Sequence, residues 1–339
     1  MGEGGPCVFH VALACSTLMG LPALALENLA IVISNTSTKL AILCKPPAQV
    51  QESKKICEEL TKAVIALTAV TQTVPVGSGK TYLRAVHQTA AEILRGVGDL
   101  ANSFRRNPEE LDADHLIFLQ PTGKIWLAKD IFQQMPQNNA EAVLARFDAG
   151  GVVAADALAE TEDVLKRWER RLAGEGGDED EGEVVDWDAW DELADEGEDL
   201  GEAAGAPRPV KERMPVTEAH VVVLKDCLQL VKMAKMLLQK VALRSVKPAD
   251  TTNREVVEWL DDLVVSLDNV NEYIDDLCAQ VEDITVEGGL PVVHEKAELL
   301  TGVMLALVAQ VRPKLTEEPH IQWYDQFATK SKSLSDKIQ

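Results

Sequence analysis

The chain has 339 residues, with 55 acidic and 33 basic side chains and a formal net charge of −22. That balance argues against a nucleic-acid or anionic-membrane binder, which needs clustered Lys/Arg. The 46% apolar fraction excludes wholesale disorder, and with aromatics at 4% the cores must be aliphatic. The length accommodates two domains.

Residues 1–23 read as a variable lead-in. No charged side chain occurs from Gly4 to Leu26, and Ala23-Leu24-Ala25 has the look of a cleavage site. The leading segment, however, carries Glu3 and no basic residue, unlike a secretory signal. Pro22 interrupts a membrane span, and Pro6 stands where a myristoylation pattern wants Ser or Thr.

Helices are then predicted at 24–44, 50–74, 80–105, 121–135 and 138–172. The apolar residues repeat with 4-3-4-3 spacing, which keeps one stripe on one helix face. Ile56, Leu60, Ala63, Leu67, Val70 and Val74 form one stripe; Leu83, Val86, Ala90, Ile93, Val97, Leu100 and Phe104 form a second. A third runs through Ala140, Leu144, Phe147, Gly151, Ala154, Leu158, Thr161, Leu165, Trp168 and Leu172. Such helices are not stable alone, and packing stripe against stripe is what stabilises them.

The pattern breaks at 174–206, which holds 15 acidic residues and no basic one. Self-repulsion and low hydrophobicity predict an unfolded linker there. Beyond it, helices are predicted at 215–246, 253–286, 291–311 and 319–338. The clearest stripe of all is Val256, Leu260, Leu263, Leu267, Val270, Ile274, Leu277, Val281 and Ile284. Gly288-Gly289 is expected to close one helix and Pro291 to sit in the first turn of the next. The expectation is therefore an all-α protein of two antiparallel bundles, five helices over 24–173 and four over 215–339, joined by an acidic, Trp-containing linker over 174–214.

Within that linker, Trp187, Trp190 and Leu193 fall at i, i+3, i+6 in Asp186-Trp187-Asp188-Ala189-Trp190-Asp191-Glu192-Leu193. Aromatics flanked by acids suit a docking motif that folds on binding, so these three are the candidate partner-binding residues. They could equally fold back on the basic helix carrying Lys232, Lys235, Lys240, Arg244 and Lys247, shielding it until a partner displaces them.

Catalytic signatures are missing. Gly77-Ser78-Gly79-Lys80-Thr81 ends like a phosphate-binding loop, but Val74-Pro75 stands where the pattern needs its first Gly, and a helical stretch precedes it instead of a strand. A turn between helices is the expected reading, and nucleotide binding the alternative. The six histidines are dispersed, and Asp261-Asp262 and Asp275-Asp276 read as a solvated face with capping or surface pairs. Cys7, Cys15, Cys44, Cys57, Cys227 and Cys278 form no metal-binding spacing and read as reduced thiols of a cytosolic or nuclear protein. No catalytic residue, cofactor or metal site is expected, and no enzyme.

The sequence resembles the cyclin-D-binding protein family, also called Grap- and cyclin-D-interacting. The likeness rests on the Cys57-Glu58-Glu59 helix, Leu83-Arg84-Ala85-Val86, Trp126 with Gln133-Gln134-Met135-Pro136 and Asn138, the acidic linker with Trp, and Leu260-Asp261-Asp262-Leu263-Val264. That resemblance implies a vinculin/α-catenin-like helical adaptor of cytoplasm and nucleus. It would bind D-type cyclins and helix-loop-helix regulators and damp cell-cycle progression and transcription. It would touch neither nucleic acid nor membrane directly, since no predicted helix follows a dense Lys/Arg block. Zipper-like spacing is present, and packing within the chain explains it more simply than a dimer. A cytoskeletal linker of similar architecture is the other reading.

Overall fold

The computed structural model describes residues 21–45, 49–105, 118–174 and 214–338, with side chains from residue 23 onward. Among the described residues the protein is all-α, with only an isolated bridge residue at Val286. The helices are α1 (Leu21–Leu43), α2 (Val50–Thr73), α3 (Lys80–Ser103), α4 (Leu119–Gln133), α5 (Asn139–Leu172), α6 (Glu218–Val241), α7 (Arg254–Val281), α8 (Gly289–Val311) and α9 (Glu318–Ile338). Their boundaries lie close to those the periodicity predicts. Gly288-Gly289, expected to close a helix, instead opens the next: α7 ends at Val281, Gly288 (φ 78°) stands before α8 and Gly289 is its first residue.

By compactness the chain divides into Met1–Arg146 with Val246–Val264, and Phe147–Ser245 with Val265–Gln339. The cuts fall inside α5 and α7, at places other than the acidic linker where sequence composition would divide it. Each unit is described by itself.

In the first unit, α1 through α4 enclose a core of Leu26, Ile33, Leu67, Val86, Ile93, Leu100 and Ile125, all but inaccessible to water. Helices α3 and α4 are antiparallel. Phe104 meets Phe118 at 4.8 Å between ring centroids, Asp99 pairs with Lys124 at 2.9 Å, and Gly96 lies against Ile125. A Cβ on Gly96 would come within 2.7 Å of Ile125 Cγ1, so the small residue sets how closely the two helices approach.

In the second unit, α5 and α6 also run antiparallel. Glu169 pairs with Lys225 at 2.7 Å and Glu162 with Lys232 at 2.9 Å, each step seven residues along its helix. Helices α7 and α8 are joined by Ser266–Gln310 at 2.7 Å and Asp276–Lys296 at 2.7 Å, again in opposed order. In the stripe that runs along α7 and into the 3-10 turn after it, Leu260 and Leu263 of the first unit and Leu267, Val270, Ile274, Leu277, Val281 and Ile284 of the second are buried, with Val256 half-buried. A seam of this length provides most of the stabilisation a helix has, at roughly 1.5–3 kcal/mol gross per large side chain before chain entropy.

The α5 stripe is placed differently from its prediction. Ala140, Phe147, Ala154, Thr161 and Trp168 are buried as expected. Between them the buried positions are Val143, Gly150, Ala157 and Val164, whereas Leu144, Gly151, Leu158 and Leu165 are half-buried and Leu172 is exposed. The spacing was right and half the register was one residue off. Large leucines mark the sequence pattern, but the close approach of neighbouring helices selects the smaller residue beside each.

Candidate functional site

The glycine turn predicted at residues 77–81 lies in the first unit. It forms a 3-10 turn over Val76–Ser78, then Gly79 at φ 101°, then α3 starting at Lys80. A helix start presents unpaired N–H groups and the positive end of the helix dipole, which is why such turns attract anions. Here the anion is the protein's own. The Asp261 carboxylate accepts from the Lys80 N–H at 2.8 Å, the Thr81 N–H at 3.0 Å and the Thr81 hydroxyl at 2.7 Å.

Asn139, buried at the first position of α5, completes the hub. Its Nδ2 donates to Asp261 Oδ1 at 3.1 Å and to the Val257 carbonyl at 3.2 Å, and its Oδ1 accepts from the Tyr82 N–H at 3.0 Å. A Cβ on Gly79 would lie 2.1–2.5 Å from the Asn139 side-chain atoms, so glycine is required there by space as well as by its positive φ. Burial pushes the Asp261 carboxyl up, but the donors from Lys80, Thr81 and Asn139 outweigh it and hold the group below the ordinary carboxylate range. The first two N–H groups that a phosphate would need are thus taken. Helix α2, not a strand, precedes the turn.

Asp261 therefore caps a helix remote in sequence, and Asp276 forms a surface pair with Lys296. Only the first could not be placed by local pattern: 180 residues separate Asp261 from Thr81.

In the second unit, a cleft of about 390 Å³ opens at the C-terminal end of α5. Trp168 and Leu172 form one wall, and Met214, Pro215 and Val216, entering α6, form another. Arg167 and Arg171 bring positive charge to it, with Glu282 held on Arg167 at 2.7 Å. The entry to α6 is fixed by the Met214 N–H donating to the Thr285 carbonyl at 2.7 Å. Thr217 and His220 cap α6 reciprocally, each side chain accepting from the other's backbone N–H at 3.3 Å.

The basic residues of α6 are partly engaged. Lys232 is held by Glu162, and Lys240 lies over the Trp323 ring at 5.8 Å from its centroid. Exposed apolar side chains also occur on α4 of the first unit, at Leu119, Trp126, Leu127 and Ile131, with Trp126 Nε1 donating to Thr38 Oγ1 at 2.9 Å. The predicted partner residues Trp187, Trp190 and Leu193 lie outside the described residues.

Among the described residues no group of three or more His, Cys, Asp or Glu is arranged to hold a metal, and no helix is long and apolar enough to cross a membrane. The four described cysteines, Cys44, Cys57, Cys227 and Cys278, are free. Burial, reinforced by Asp226 and Cys278, pushes the Cys227 thiol up to about 12.

Fold and surfaces together define an all-α, helical-domain protein. Residues 25–167 match the family described as "Grap2 and cyclin-D-interacting, N-terminal". Over those residues the chain is similar to this cyclin-D-interacting family. It is 33% identical to a cyclin-D1-binding protein 1 homologue of Danio rerio over 136 residues, 39% of each chain. To the Xenopus laevis homologue it is 26% identical over 249 residues, 72% of this chain and 66% of the relative. To human cyclin-D1-binding protein 1 it is 23% identical over 300 residues, 88% of this chain and 78% of the relative. The first two matches span less than two thirds of the relatives' own length. All three relatives are named as binding proteins.

Proposed function

We propose that the protein is a non-enzymatic adaptor that binds a D-type cyclin. The observation that carries this reading is the family match over residues 25–167, in relatives named for binding cyclin D1. The all-α fold supports it, as does a glycine turn whose donors face Asp261. The docking elements we assign are Trp187, Trp190 and Leu193, flanked by acids that favour a basic partner surface. Binding of helix-loop-helix regulators, restraint of cell-cycle progression and transcription, and residence in cytoplasm and nucleus belong to the same proposal.

The test is capture of a purified D-type cyclin by the full chain and by its Trp187→Ala/Trp190→Ala variant. Saturable capture that weakens at least tenfold in the variant is expected, about 1.4 kcal/mol of binding free energy. No saturable capture by the wild-type chain would overturn the adaptor reading. Capture that survives the Trp changes but is lost in Leu127→Asp/Ile131→Asp would overturn the assignment of the docking residues and move the interface to α4.

A further inference from the structure

We propose that, in the free protein, the cleft at the C-terminal end of α5 is the seat of the chain's own Asp186–Leu193 segment. Trp187 and Trp190 enter the apolar part, and the flanking carboxylates lie on the α5 cations.

Chain connection is the first argument. The described chain leaves the cleft region at Gly174, just beyond Leu172, and re-enters at Met214. Both Leu172 and Met214 line the cleft, so the described residues nearest to either side of the acidic stretch stand at or beside its rim. Trp187 is 13 residues beyond Gly174. A connection of that length spans at most roughly 45 Å at about 3.3–3.6 Å per residue, and as a flexible coil it averages about 20 Å. Tethering of this kind gives an effective concentration of about millimolar, so a weak contact suffices for occupancy.

Charge is the second. Lys166, Arg167, Arg170 and Arg171 crowd the last turns of α5, where they also complement the helix dipole. Asp163 and Glu282 take Lys166 and Arg167 as partners. Arg170 donates to the Lys166 carbonyl at 3.4 Å, and the cations that line the cleft itself are Arg167 and Arg171. The stretch 174–206 offers 15 carboxylates and no cation.

The third is surface chemistry. Leu172 and Met214, both lining the cleft, are 42% and 47% exposed, so apolar surface is open to solvent there. The volume of about 390 Å³ lies within the roughly 300–1,000 Å³ of clefts that take organic groups, and Trp168, Leu172 and Met214 give it its apolar walls.

The inference does not rest on the cyclin reading. If cyclin capture fails it still stands, and if it fails the adaptor reading is untouched. The test is 19F NMR on the full chain labelled with 5-fluorotryptophan, with two signals assigned through Trp187→Phe and Trp190→Phe. At low salt these signals are expected away from those of a free peptide of residues 183–196, with a smaller solvent isotope shift. They are expected to move to the peptide position in Arg170→Gln/Arg171→Gln, and also between about 0.05 M and about 0.5 M salt, as screening shortens the reach of the charges. Wild-type signals at the peptide position in low salt would overturn the proposal, and this comparison needs no cleft variant. Displaced signals that the double substitution leaves unmoved would overturn the seat on α5. A displacement that grows with protein concentration would overturn the intramolecular contact in favour of a second copy.

Discussion

Replacing Asp261 by Ala is expected to destabilise the first unit by about 2–4 kcal/mol. The carboxylate serves as the N-terminal cap of α3, a role whose loss typically costs about 0.5–2 kcal/mol. It also accepts from the Thr81 hydroxyl and the Asn139 amide, at roughly 0.5–1.5 kcal/mol net each. Lys80 is exposed, so water replaces that partner cheaply; the half-buried Thr81 N–H and the buried Asn139 amide are poorly placed for such a rescue. Asp261→Asn, retaining one acceptor but no charge, should cost about half as much. Urea unfolding of the full chain measures the loss, and hydrogen exchange at Lys80–Leu83 locates it in the first turn of α3. The pH dependence has a definite sign. Because the folded carboxyl titrates below its unfolded value of about 3.9, its contribution is complete above that pH and is lost as pH falls through the lower folded value. Wild type and Asp261→Ala should therefore differ at neutral pH and converge on acidification. A loss under about 0.5 kcal/mol with unchanged exchange in α3 would refute the capping role.

Adjacent glycines of α5 should respond with opposite signs. A Cβ on Gly150 meets Asn271 Nδ2 at 2.6 Å and Leu267 Cδ1 at 2.8 Å, so overpacking of about 1–3 kcal/mol exceeds the helix-propensity gain of about 1 kcal/mol and Gly150→Ala lowers the melting temperature. Nothing lies within 4 Å of such an atom at Gly151, so Gly151→Ala raises it. Leu267→Asp, at a fully buried seam position, should lose more than about 4 kcal/mol and unfold the second unit, read by circular dichroism. Alkylation at mildly alkaline pH, followed by mass spectrometry, should label exposed Cys57 first among the four described cysteines and leave Cys227 unlabelled until the protein unfolds.

Much of the helical map was legible because its cause is local. Stripes at 4-3-4-3 spacing, prolines in first turns and Gly288 with its positive φ are properties of short stretches, and they place the helices within a few residues. The α7 seam was readable member by member because its large aliphatics are also its buried residues. On α5 the two criteria diverged: Ala157 is buried where Leu158 is half-buried, and at Gly150 even a Cβ would meet the Asn271 and Leu267 side chains.

The polar sites separate the two levels more sharply. That Gly77–Thr81 is a turn leading into a helix follows from its residues alone, and so does the acidity of 174–206. That the turn's N–H groups face Asp261, with Asn139 beside them, depends on groups up to 181 positions apart meeting at one helix start. Likewise Leu172 and Met214 come together at one cleft only because α5, α6 and the turn after α7 converge there. Helical periodicity is local and was written in the sequence; the partner of each buried donor and the walls of each cleft were chosen by packing, which no short stretch encodes.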